Sequence, residues 1–500
     1  MAVKNGNFLI HEENFITDFP EQTRAFSSYN PLDTFELPKG VDKHYQQQYA
    51  DMYFLRLAQL KAAVEQKAQD AWENFELAGE KATRVERVLD VRQGELCWVV
   101  GTIFMEMTMK PNILDDISKE HWIAAPPVRE KYISPNGKDE MMLEDESGRL
   151  RVTGDHVASN AFVTGCIIAA LGTETADGAF EIIATQHADF PRQPQRWERD
   201  EEALVLAGEK VKRKRPKAEK IAIVSGLEIG ADDEDTINRD ILLEWLEGAA
   251  AGGAEQARAS RITRLIIAGD SVANSSPIPS REEFAEAKKI QKRYGYDSEA
   301  YDAIPADLLD QFLCDLLPSI PITILPGASD PASVAIPQQP IHPAMFPKCR
   351  ESTKPPDQPH DHLYAFDSVT NPWQGDVDGW RLLGTGGQTV TDVQKYIEHE
   401  SSLDIMEAML RWRCIAPTAP DTLWCYPFQD DDPLLVRDCP HVYFAGNQPK
   451  AGTKVVAGPA GQRVTLIAVP KFRDSGKVVL LDMETLGVDF IQIAPQKIRS

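Results

Sequence analysis

The strings IAIVSGLE (residues 221–228), LIIAGDS (265–271), ITILPGASD (322–330) and VYFAGNQP (442–449) repeat one pattern: an apolar run that ends in glycine beside small polar or acidic residues. Short unbroken apolar runs suit strands buried on both faces, as in parallel sheets. Between the first two runs, Ile237, Ile241, Leu242, Trp245 and Leu246 recur at helical spacing from about Thr236 and stop before Gly248. Strand, helix and strand in that order make one βαβ unit, in a fold whose chemistry belongs at the strand ends. Residues 320–325 and 442–445 supply further buried strands, and 477–481 with 488–493 predict an antiparallel pair that closes the fold. The Gly- and Ala-rich stretch 249–253 reads as an inserted loop. The proline-dense stretch 331–373 reads as long surface loops.

At those strand ends the chain offers Ser225-Gly226-Leu227-Glu228, Gly269-Asp270-Ser271, Pro326-Gly327-Ala328-Ser329-Asp330 and Gly446-Asn447-Gln448-Pro449. The order and spacing resemble the calcineurin-like metallophosphoesterases, whose DxH, GD, GNH and GHxH motifs hold two metals about 3.5–4 Å apart. Hard oxygen and imidazole ligands suit manganese, iron or zinc there. Carried over by position, Gly226 stands for the first Asp and Glu228 for its His, while Asp270 keeps the bridging carboxylate. Ala328 replaces the ligand Asn, Ser329 the next His, and Asn447 and Pro449 the two last histidines. One carboxylate among such residues cannot hold two cations, so the resemblance implies a dead hydrolase without metal. His360 and His362 around Asp361, and His441, read as chance solvent-exposed histidines. The seven cysteines form no CxxC pair, which argues against a zinc or iron–sulfur motif in this chain and for reduced thiols in a cytosolic or nuclear compartment.

Upstream of residue 220 the character changes. The string EKVKRKRPKAEK (209–220) is the one dense basic cluster. It reads as a linker, and Lys210, Lys212, Arg213, Lys214 and Arg215 before Pro216 fit a nuclear import signal. Before it come five short runs with strand character: 96–109, 141–143, 150–152, 162–171 and 180–184. Turns at Glu146-Ser147-Gly148 and Ala176-Asp177-Gly178 separate them, a layout that suits a small OB-fold barrel. Ahead of the barrel, Tyr49, Tyr53, Leu57, Leu60, Val64, Ala68 and Trp72 mark one face of a helix over 44–74. The expected fold class is therefore α/β and β: an N-terminal OB-fold barrel with a leading helix, then an inactivated metallophosphoesterase-like α/β sandwich. The expected division is a tail (1–40), helix and OB-fold (41–200), linker (201–219) and phosphoesterase-like domain (220–500).

A net charge of −24 sets the field of the whole chain against nucleic acid, so DNA is expected to be met only indirectly. Phe104, Phe162 and Phe180 on the barrel strands sit among Met and Glu rather than Lys and Arg, and are assigned to the core. No run of about 18 apolar residues argues for a membrane span, and residues 1–30 lack the apolar core of a secretory signal.

Longer stretches narrow the resemblance. These are QPIHPAMFP (339–347), QGDVDG (374–379), LLGTGGQ (382–388) with TDV (391–393), IAPTAPDTL (415–423), CYPF (425–428) and CPHVYFAGN (439–447). In order and composition they resemble the small, or B, subunits of eukaryotic replicative DNA polymerases, the delta group above all, from about residue 37 onward. That resemblance implies a non-catalytic scaffold in nuclear DNA replication and repair. It would bind the C-terminal metal-binding domain of the delta catalytic subunit, which carries the iron–sulfur cluster, and the winged-helix domain of a third subunit. The same protein would also serve the catalytic subunit of translesion polymerase zeta. No cofactor is expected in this chain, and no interface residue is assigned. Three other readings stay open at this point: an active metal-dependent phosphodiesterase or exonuclease, a single-strand DNA-binding module, and a B-subunit of polymerase alpha or epsilon. The missing histidines count against the first, the acidic balance against the second, and the GTGGQ and TAPDTL stretches against the third.

Overall fold

The computed structural model describes residues 24–38, 48–111, 129–159, 161–201, 219–230, 236–249, 253–273, 303–353, 365–398 and 401–494. The first strand among them is β1 (Tyr29–Leu32). Helix α1 (Tyr49–Trp72) buries Met52, Leu57, Leu60, Val64, Ala68 and Trp72. Its stripe is the expected one from Leu57 onward, whereas Tyr49 is exposed, Tyr53 is half-buried, and Met52 is the buried residue of the first turn. A two-residue hairpin, β2 (Glu76–Leu77) and β3 (Glu80–Lys81), leads to β4 (Thr83–Arg84).

The five expected strands follow as β5 (Cys97–Glu106), β6 (Glu140–Glu144), β7 (Arg149–Thr153), β8 (Ile167–Glu174) and β9 (Phe180–His187). They join in the order β4-β5-β6-β7-β9-β8, and β5 pairs with β8 as well, so the ladder returns on itself. Alternation decides which side chains point inward. Val99, Ile103, Leu143, Leu150, Val152, Ile168, Ala170, Phe180 and Ile182 share one core. The opposite faces of β5 and β8, through Trp98, Val100, Ile167, Ala169 and Leu171, meet α1.

The remaining strands are β10 (Lys220–Val224), β11 (Ile262–Ala268), β12 (Ile322–Leu325), β13 (Phe366–Ser368), β14 (Trp373–Val377), β15 (Trp380–Thr385), β16 (Val442–Gln448), β17 (Gly452–Ala457), β18 (Arg463–Pro470), β19 (Lys477–Asp482) and β20 (Val488–Gln492). They build two six-stranded sheets, β13-β12-β11-β10-β19-β20 and β1-β14-β15-β16-β18-β17. β10 to β13 run parallel, and the closing pair β19–β20 is antiparallel as read from the sequence. Period two again sorts the side chains of β10. Ile221 and Ile223 face the other sheet, meeting Trp373, Leu382, Phe444 and Ile467, whereas Ala222 and Val224 face helices Thr236–Glu247 and Ile304–Leu316. The second sheet carries helices Gln388–Tyr396 and Ser402–Arg411 on its outer side. The arrangement is helix, sheet, sheet, helix, with short, mostly apolar strands where both faces are covered.

Three expectations change. Residues 24–38, read as part of a tail, are bound into the sandwich: β1 pairs antiparallel with β14, and Phe35 is buried. Tyr29 Oη donates to Asp367 Oδ2 (2.5 Å), and Arg24 Nη1 donates to the carbonyls of Ala259 and Ile262 (both 2.7 Å). The stretch 331–373 is not all surface loop, because Ile336, Ile341, Phe346 and Cys349 are buried and Pro347–Ser352 is helical. Gly253, read as the end of a loop, begins helix Gly253–Ser260. The basic cluster Lys210 to Arg215, residues 250–252, and His360, Asp361 and His362 lie outside the described residues.

Candidate functional site

Where β10 and β11 end, their backbones stay paired for one more turn. Gly226 N donates to Gly269 O (2.9 Å), Glu228 N to Asp270 O (3.0 Å) and Ile229 N to Ser271 O (2.9 Å). The bends this needs put Glu228, Asp270 and Asn447 at φ of 44°, 52° and 55°, a left-handed region that non-glycine residues enter at a cost and that clusters at functional sites. Gly269 is where three loops touch, since a Cβ there would lie 2.9 Å from the Gly386 Cα and 3.1 Å from the Gly327 Cα. Any side chain would push them apart.

Five of the seven positions selected from the sequence come together. Asp270 Oδ1 accepts from Ser329 N (3.1 Å), and Ser329 Oγ donates to Val272 O (2.7 Å). Glu228 lies on the neighbouring strand end. Asn447 is anchored by its N–H on Ser225 Oγ (3.0 Å) and by its Nδ2 on Gly386 O (2.9 Å), and Gly226 faces it, with room for no Cβ between Asn447 Oδ1 and Lys471. Ala328 and Pro449 are exposed at the rim.

The positive charges at these strand ends come from residues that the sequence motifs do not include. Lys471 Nζ donates to Glu228 Oε1 and lies 3.8 Å from Asp270 Oδ2, and Arg473 Nη1 stands 3.4 Å from Glu228 Oε2. Burial disfavours the Lys471 ammonium, but the bond to Glu228 and the two carboxylate charges outweigh it and hold its pKa above the ordinary lysine value. Both cations follow β18, a strand absent from those expected on the sequence. Asp330 is a further builder of the site outside the seven positions. It is buried, and it accepts from Ser271 N (2.8 Å), Val272 N (3.0 Å) and Gly327 N (2.7 Å), while burial pushes its carboxyl up to about 7. Beneath lies a neutral amide cluster. Asn371 Nδ2 donates to Gln338 Oε1 (2.8 Å) and Gln388 Oε1 (2.9 Å), and Asn371 Oδ1 accepts from Gly386 N (2.9 Å). Among the described residues no group of three or more His, Cys, Asp or Glu is placed to hold a metal ion.

His441 is not a surface histidine. It is 6% exposed, Trp380 packs against its ring, and its Nδ1 accepts from Arg381 N (3.1 Å). Burial, with Arg381 and Arg196 nearby, lowers its pKa to about 4. The folded value lies below the unfolded one, so the stabilisation is complete above pH 6.5 and is lost as pH falls toward 4. We expect stability to drop by about 2 kcal/mol from this residue between pH 7 and pH 5. Urea midpoints of the wild type and His441→Gln should therefore converge as pH falls, and parallel curves would refute the assignment.

A second surface lies where the start of α1 meets β5, β6 and residues 420–425, around a groove of about 890 Å³. Tyr49, Phe54 and Trp424 are exposed along it. Phe104, expected in the core, is only half-buried here, with Lys110 Nζ 4.6 Å and Arg149 Cζ 4.3 Å from its ring centre. Exposed aromatics gathered in one groove mark an interaction surface more often than a chance patch.

Residues 48–185 match the family described as DNA polymerase delta subunit OB-fold domain, and residues 221–453 match the B-subunit family of DNA polymerase alpha/epsilon. Over 474 residues the chain is 34% identical to the DNA polymerase delta small subunit of Arabidopsis thaliana, covering 95% of this chain and 97% of that one. It is 33% identical to the Saccharomyces cerevisiae protein of the same name (93% of each chain) and 32% identical to DNA polymerase delta subunit 2 of Drosophila melanogaster (94% and 98%). Near-complete coverage at this identity, together with an OB-fold-like N-terminal part, shows that the chain belongs to the DNA polymerase delta small subunit family.

Proposed function

We propose that this chain is the non-catalytic scaffold of a DNA polymerase delta complex, bridging the catalytic subunit's C-terminal metal-binding domain and the winged-helix domain of a third subunit. The observation that carries the proposal is the match along 95% of the chain. In this reading residues 41–200 form a closed OB-fold barrel with its leading helix, joined by the 201–219 linker to a phosphoesterase-like sandwich over 220–500, whose second sheet β1 completes from the N-terminal side. The ring of pairings among β5 to β9 and the layered order of the two larger sheets support it. The strand-end cleft is then a phosphoesterase site emptied of its chemistry: Gly226, Ala328, Ser329, Asn447 and Pro449 offer no imidazole, and Glu228 is engaged by Lys471. The metals implied by the calcineurin-like resemblance do not fit these residues.

The exposed aromatic groove supplies the apolar anchors a partner needs, in an obligate interface that should exceed about 2,000 Å². The iron–sulfur cluster belongs to the catalytic subunit, DNA is reached only through partners, and the catalytic subunit of polymerase zeta is a second client. Nuclear import is assigned to Lys210, Lys212, Arg213, Lys214 and Arg215. A fluorescent fusion with these five changed to alanine should lose nuclear accumulation, and unchanged import would refute it.

Co-expression with the C-terminal domain of a matching delta catalytic subunit tests the main claim. We expect a stoichiometric complex on gel filtration, and no manganese-dependent phosphodiester hydrolysis by this chain alone. Two folded chains that elute apart would overturn the scaffold role. Hydrolysis abolished by Asp270→Asn would restore the enzyme reading.

A further inference from the structure

We infer that Lys471 is the cleft's resident cation: its ammonium takes over the structural work of a bound metal, pinning the strand ends of one sheet to the other. The inference rests on reading the cleft as a degenerate phosphoesterase site, and goes beyond it by saying what replaced the metal.

Three observations converge. Glu228 and Asp270 extend β10 and β11 in one sheet, whereas Lys471 directly follows β18 in the other, so the ion pairs cross between the layers. The backbone around the lysine is tied to the same place. Phe472 N donates to Ser225 O (2.7 Å), Arg473 N donates to Gly226 O (3.1 Å), and Ser225 pairs with Lys471 as an isolated bridge. Gly226 leaves the space that the lysine uses, because a Cβ there would lie 2.7 Å from Lys471 Cγ and 2.8 Å from Asn447 Oδ1. The residue standing for the first ligand carboxylate has therefore become the gap through which an internal cation enters. A flexible ammonium with three donors can serve two carboxylates at once, as a divalent ion would.

Removing the ammonium leaves Glu228 with Arg473 alone, 3.4 Å from Oε2, and takes from Asp270 the lysine 3.8 Å away, so that two hard carboxylate ligands of the kind manganese accepts are freed. The test is chemical rescue on the full chain with manganese chloride as the probe. Wild type should show no change in Tm with manganese. Lys471→Met should melt lower than wild type and regain about 3 °C at roughly ten times the manganese Kd. Glu228→Gln in the Lys471→Met background should abolish the regain. If Lys471→Met does not fold, the milder Lys471→Gln should show the same manganese response. A wild type stabilised by manganese as much as the variant overturns the resident-cation inference. So does a Lys471→Met protein that neither loses stability nor responds to the metal, although that result leaves the degenerate-site reading standing. Only manganese-dependent hydrolysis by wild type sinks both.

Discussion

Arg56→Ala is expected to cost about 3–5 kcal/mol, because it leaves a carboxylate buried without its partner. Arg56 and Asp432 are both nearly fully buried, joined Nε to Oδ2 at 2.6 Å. Arg56 Nη1 also donates to the carbonyl of Ala419 (2.6 Å). Burial works against the guanidinium, yet Asp432 more than compensates and raises its pKa above the usual arginine value. The pair is the main polar tie between α1 and residues 416–434. On its other oxygen Asp432 accepts from Leu434 N (2.9 Å), so the carboxylate cannot simply turn to water. Urea unfolding followed by tryptophan fluorescence reads the loss. Arg56→Met combined with Asp432→Asn should recover part of it, since removing both charges removes the desolvation penalty. A single variant within about 1 kcal/mol of wild type would show that the pair carries no net weight.

Gly165→Ala should be nearly as severe, for a steric reason. Gly165 has φ of 92°, and a Cβ there would lie 1.9 Å from the Pro417 carbonyl oxygen and 2.8 Å from its carbon. The obstacle is backbone, so no rotamer change relieves it. The turn holding Gly165 is fixed by its N–H on Ile103 O (2.8 Å), and residues 416–419 are held by Arg56. We expect a loss of about 3 kcal/mol or more, combining overpacking with left-handed strain. Gly178→Ala is the control, because its φ of 76° brings the same strain while nothing lies within 4 Å of the new methyl. It should cost about 1–2 kcal/mol. Equal losses in the two variants would mean that residues 415–420 move aside freely.

Both substitutions act at a seam that the sequence conceals. Burial on two faces makes β10, β11, β12 and β16 plain apolar runs, and the short strands β5 to β9 show themselves through their turns. β1 does not. Its four residues, YNPL, include a proline that only an edge strand tolerates, and its partner β14 reads WQGDV, hardly apolar at all. Cores are no guide to sequence boundaries either: Ile103 and Phe180 share one cluster with Met409 and Tyr443. At the cleft, the positions of Gly226, Glu228, Asp270, Ser329 and Asn447 are legible because strand ends punctuate with glycine. Lys471 and Arg473 are not, since an ion pair between residues 243 apart leaves no local pattern.

The placement of β1 has a consequence for how the protein is made. Ser28 donates to Asp378, 350 positions further on, and Tyr29 pairs with Val377. At about 5–20 residues per second, a ribosome needs roughly 20–70 s to deliver that partner. Throughout that interval β1 has been synthesised and has nowhere to dock. Its brevity and its proline keep it from templating other chains meanwhile. A segment made early is thus among the last to be seated.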